Sequence, residues 1–287
     1  MPKSLVLLTL SFLVGVALFQ DCILKVLVDV LNRSDSSHGI FVPFLAAYFL
    51  WTLKDRIRET PIGTSWAGAP VILICIGFAL AGVGGFQVQF IAFIGFLCGL
   101  ILIFLGNAMF KILAYPLIFL VTMTPLPQQV YNDIADLSRT IAFGASVQVL
   151  SLLGIPHMRV GWDLELPNAL LRVTIDCSGI RYLISYVAFG FAYAFIFKTS
   201  FSGRILTAIA TIPLSIFASI LRLTTIFLMT YWISPFWSQR KPHIFLSWLV
   251  FFGVLILAIW IDQWFQKRRI AKTLNPLNPQ PLEPSTP

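Results

Sequence analysis

The chain has 287 residues, 58% of them hydrophobic and only 11% charged. Soluble proteins carry about 25% charged residues, so this composition, with its positive mean hydropathy, excludes an ordinary soluble domain. A formal net charge of +8 would point to nucleic acid in a soluble protein. In a membrane protein it reports cytoplasmic loops rich in Lys and Arg, and no nucleic-acid-binding motif accompanies it. Several apolar runs reach or approach the ~20 residues a helix needs to cross a bilayer, which predicts an all-α polytopic membrane protein.

In chain order, MPKSLVLLTLSFLVGVALFQD combines a basic residue with an apolar stretch but offers no small-x-small cleavage site, so it reads as a retained first span rather than a signal peptide. Seven further spans are expected, giving eight in one bundle: about 5–20, 39–54, 69–85, 88–106, 108–124, 178–197, 206–232 and 243–264. Cations set the orientation. Lys54, Arg56 and Arg58 follow the second span, Lys198 and Arg204 separate the sixth from the seventh, and Lys267, Arg268, Arg269 and Lys272 follow the eighth. Placing all three clusters in the cytoplasm puts both termini there and demands an even number of crossings. Counting the stretch 128–157 as a crossing would break that parity. Its first half is amphipathic, and it is expected as an interfacial helix at the outer face. Next, MRVGWDLELPNALLRVTID alternates apolar and polar residues around a Pro-Asn turn signal, which predicts a short β-hairpin-like segment outside the membrane. The membrane unit is expected to end near residue 265, with 266–287 a disordered, Pro-rich cytoplasmic tail.

That topology gathers three reactive groups in the outer half of consecutive spans. Cys177 lies at the start of the sixth span, Arg222 inside the seventh, and His243 on the first turn of the eighth. Each has an ordinary structural reading, as a packing thiol, a buried ion pair or an interfacial anchor. Arg222 stands apart, because an intramembrane charge costs at least about 2.5–3.5 kcal/mol and few acids lie within the spans to pair with it. A helix start and a nearby cation favour the thiolate. An imidazole can take the thiol proton and return it to a leaving amine. A guanidinium can stabilise the thiolate or an oxyanion. Together they suit acyl transfer through a thioester. Asp176, beside the thiol, works against the thiolate and has no assigned role. The other cysteines, Cys22, Cys75 and Cys98, show no CxxC or Cys/His spacing, so neither a metal nor a cofactor is expected.

Five segments together resemble the exosortase/archaeosortase family of integral-membrane cysteine transpeptidases: HGIFVPFLAAYFLW (38–51), LLGIPHMRVGWDLELPN (152–168), DCSGIRYLISYVAFG (176–190), IPLSIFASILRLTTIFL (212–228) and HIFLSWLVFFGVLILAIW (243–260). The resemblance implies an active site at Cys177, Arg222 and His243, the three groups the topology selects. Its departures are Asp176 before the cysteine where a small residue is common, Ala218 and Ser219 where an Asn is common, and Ser247 near an expected glycine. It implies substrates that are membrane-anchored secreted proteins with a C-terminal sorting signal of the Pro-Glu-Pro (PEP-CTERM) type. The acceptor would be a cell-envelope lipid or glycan, the location the cytoplasmic (inner) membrane with the site facing outside, and the context exopolysaccharide production. Ser178 and Gly179 are expected to let the peptide approach the helix start, and Arg181 to hold substrate or headgroup. Two other readings use the same residues. One is a transporter or lipid-headgroup-binding protein with Arg222 coordinating an anion; the other is a polysaccharide-assembly factor without catalysis.

Overall fold

The computed structural model describes residues 3–33, 37–175, 178–198 and 200–274. The chain is mostly helical and resolves into two compact units, Met1–Gly144 with Val173–Ser219, and Ala145–Arg172 with Ile220–Pro287. Two helices, α7 (Gln128–Leu152) and α9 (Phe201–Trp232), contribute to both.

The first unit opens with α1 (Lys3–Leu18) and α2 (Gln20–Asn32), which meet at a 66° bend. Helix α2 lay outside the expected spans because Asp21, Lys25 and Asp29 dilute its hydropathy. Its buried residues are Cys22, Val26 and Val30, a four-residue repeat that forms one helical face. Phe19 fixes the bend by packing between Phe93 (ring centroids 5.6 Å) and Phe96 (5.9 Å) of α6 (Gly85–Val121). The second and third expected spans are shorter than a bilayer requires. Helix α3 (Val42–Thr52) has 11 residues and stops at the charged α4 (Lys54–Glu59), and α5 (Gly68–Ala81) has 14 and ends at Gly82 in the left-handed region, φ 62°. At a rise of about 1.5 Å per residue they cover roughly 17 and 21 Å of the ~30 Å hydrocarbon core.

The expected spans 88–106 and 108–124 are one element, α6, interrupted at Gly106 (φ 84°, ψ 176°). A break inside a helix strands carbonyls, and here the loop 60–67 supplies donors. The Gly63 amide donates to the Leu105 carbonyl (3.1 Å) and the Ser65 amide to that of Leu102 (2.9 Å). Gly63 also lies so close to Gly106 that a Cβ there would meet it at 2.9 Å. The core of this unit is built around Phe49, whose ring lies 4.2 Å from Phe195 of α8 (Ile180–Phe197) and 5.1 Å from Phe119.

The second unit holds the end of α7, a three-stranded antiparallel sheet, the C-terminal part of α9, and α10 (Arg240–Leu274). The sheet is β1 (Met158–Val160), β2 (Asp163–Leu166) and β3 (Ala169–Arg172), one strand more than a hairpin. Register pairs Asp163 with Arg172 and Leu164 with Leu171, so Leu164 and Leu166 point to the buried face and Met158, Glu165 and Leu170 share the other. Helix α10 runs past the expected boundary at residue 265 to Leu274; the rest of the proposed tail lies outside the described residues.

Among the described residues, four helices are long and apolar enough to cross a membrane, or five if the bent α1–α2 pair is one span. This sustains a multi-pass membrane protein and not the count of eight.

Candidate active site

Cys177 and Asp176 lie outside the described residues; the segment that follows them belongs to the first unit. Ser178 and Gly179, expected to face substrate, are both buried. The Ser178 carbonyl accepts a 2.8 Å hydrogen bond from Oγ of Ser138 on α7, and its amide donates to the Ile175 carbonyl (2.9 Å). Gly179 precedes α8 with φ 78° and lies against α9 so closely that a Cβ would overlap Ser219 Oγ. Only glycine meets both conditions without strain. Both residues therefore pack within the turn, Ser178 bonded to α7 and Gly179 against α9. Arg181 is half-buried on the first turn of α8.

Arg222 and His243 belong to the second unit. The buried positions of α9 recur at helical spacing, and Ser215, Ser219, Arg222 and Thr230 among them are polar. Arg222 is 3% exposed, so the charge anticipated inside the span is turned into the protein and away from lipid. Hydrogen bonds from two neighbouring elements reach this part of α9. Ser146 Oγ of α7 donates to the Ile220 carbonyl (3.2 Å), and Asn168, from the β2–β3 turn, donates through Nδ2 to the carbonyls of Thr230 (2.7 Å) and Tyr231 (3.3 Å). The second satisfies carbonyls that the last turn of a helix leaves without intrahelical donors, and it attaches the sheet to the end of α9. The sequence marked Asn168 only as a turn residue.

His243 occupies the first turn of α10, half-buried, with its amide bonded to the Gln239 carbonyl (3.0 Å). It lies one turn before Leu246 and Ser247 and so opens the buried face that continues through Val250, Phe251 and Val254. Ile244, Phe245, Trp248, Leu249 and Phe252 form the exposed apolar face. Ser247, standing near the family's expected glycine, bonds back to the His243 carbonyl (2.7 Å) and is 3% exposed. The guanidinium and the imidazole thus fall on inward faces of the helices on either side of the 233–239 connection. Among the described residues, no three His, Cys, Asp or Glu side chains converge as metal ligands.

A family model described as transmembrane exosortase matches residues 30–260 of the chain. No curated protein and no solved structure matches it.

Proposed function

The chain belongs to the transmembrane exosortase family, and on that premise we propose that it is a membrane-embedded cysteine peptidase/transpeptidase acting on C-terminal sorting signals of secreted proteins. Cys177 is the nucleophile, His243 the acid–base group and Arg222 the stabiliser of developing negative charge. The Cys177 sulfur forms a bond to the scissile carbonyl carbon while its proton passes to the imidazole. Collapse of the tetrahedral intermediate breaks the C–N bond, and the imidazolium returns the proton to the departing amine. The thioester is then attacked by a hydroxyl or amine of an envelope lipid or glycan, or by water, which regenerates the thiol.

The burial of Arg222 supports this reading most. A guanidinium held in an apolar helix, out of contact with lipid and bulk water, acts at low dielectric, where fixed charge stabilises an oxyanion by several kcal/mol. We place the three cation clusters in the cytoplasm and the reactive groups at the outer face of the inner membrane, by the bias of Lys and Arg toward cytoplasmic loops. Cys177→Ala and Cys177→Ser are expected to abolish processing of a membrane-anchored substrate while expression and insertion are unchanged. Undiminished processing in either variant overturns the mechanism and favours anion binding at Arg222.

A further inference from the structure

We propose that Ser138 is a positioning residue for Cys177, acting through a clamp on the Ser178–Gly179 segment that follows the thiol; the proposal rests on the reading of Cys177 as nucleophile. Serines within helices can bond back to a carbonyl one turn earlier, as Ser151 does to Val147, Ser185 to Arg181 and Ser219 to Ser215. Ser138, like Ser146 further along α7, instead bonds outside its own helix. Its Oγ reaches across 40 residues of sequence to the Ser178 carbonyl at 2.8 Å, with both residues at most 5% exposed.

Gly179 also packs against Ser219 with no room for a Cβ between them, which resists movement toward α9, while the Ser138 bond ties the segment to α7. The Ser178 hydroxyl adds a third constraint by accepting from the Ile180 amide at 3.3 Å, at the start of α8. The peptide unit joining residues 178 and 179 is therefore fixed from two helices. A nucleophile needs such support, because a displacement of about 1 Å from attack geometry lowers the rate on the order of 100-fold.

The test uses the full chain in detergent, with site-resolved alkylation of Cys177 by N-ethylmaleimide across pH and with kcat and KM for substrate processing. Ser138→Ala is expected to lower kcat about 100-fold with KM nearly unchanged, and to change the pH profile of Cys177 alkylation. Ser138→Thr, which keeps the hydroxyl, restores both. Ser219→Val presses on Gly179 from α9 and gives the same two changes, which keeps the clamp testable should Ser138→Ala fold poorly. Wild-type kcat and a wild-type alkylation profile in the folded variants overturn the clamp. Alkylation does not require turnover, so a changed profile still supports the clamp if Cys177→Ala continues to process substrate and the nucleophile reading fails.

Discussion

Arg222 is the residue on which chemistry and membrane physics meet. At 3% exposure its charge is withdrawn from lipid and water alike, and a planar fork of donors is better matched to an oxyanion or thiolate than a point charge is. Arg222→Lys keeps the charge and nearly the length but loses the fork. Processing is expected to fall by about 100-fold or more, the usual consequence of losing an oxyanion donor, while the amount of folded, inserted protein stays the same. Quantitative immunoblotting of precursor and product against total enzyme checks this, and near-normal processing with lysine would assign Arg222 to simple charge balance. The inward turn of Arg222 was legible in the sequence because a lone charge in an apolar run needs a reason, and so was the place of His243 on the first turn of a helix. Ser138 was not, since a serine in the amphipathic DLSRT stretch looks like any solvated helix position until the fold brings the Ser178 carbonyl to it. The burial of Ser178 and Gly179 was likewise hidden, because small polar residues suit substrate approach and tight packing equally.

The sheet is the element whose chemistry can be tested most directly. Arg172 and Asp163 face each other across β2 and β3 in a two-point contact, Nε to Oδ1 at 2.7 Å and Nη2 to Oδ2 at 2.8 Å. The Arg172 hydrogen bonds hold the Asp163 carboxyl below its ordinary range. A carboxylate whose folded value is depressed stabilises the fold above its unfolded value, about 3.9, and that contribution is lost as pH falls through the lower folded value. Amide protection across 158–172, corrected for intrinsic exchange, is expected to decline below about pH 4. Asp163→Asn should show the reduced protection at every pH without a step, and a step retained in that variant would place its origin elsewhere. The alternation in MRV and DLEL and the Pro-Asn turn signal made a β segment readable, whereas ALLR does not alternate in sequence and MRV, exposed at all three positions, has no buried face to mark it as a separate strand. Helix α2 was missed because its charged face lowered the average below that of a span, although its buried stripe was present.

For the whole molecule, apolarity revealed a multi-pass membrane protein, and length decided which helices can cross. The shortness of α3 and α5 and the interruption of α6 at Gly106 depend on where caps and breaks fall, which hydropathy averages over. Sidedness therefore rests on the cations and not on a span count. Lys54, Arg56 and Arg58, Lys198 and Arg204, and Lys267 and Arg268 form three clusters. Lys and Arg close to membrane helices are retained in the cytoplasm because moving them outward is costly. If all three lie inside, the sheet and the 233–239 connection that precedes His243 lie outside. Cysteines at Glu59, Glu165 and Lys267, which are exposed, and at Ser238, which is partly exposed, can be introduced one at a time into a Cys177→Ser background and labelled with a membrane-impermeant maleimide. Positions 165 and 238 are expected to react in intact cells, and positions 59 and 267 only after permeabilisation. Labelling of 165 or 238 solely after permeabilisation would put His243 on the cytoplasmic side, where a secreted substrate arrives only before export, and the proposed reaction would have no substrate at its site.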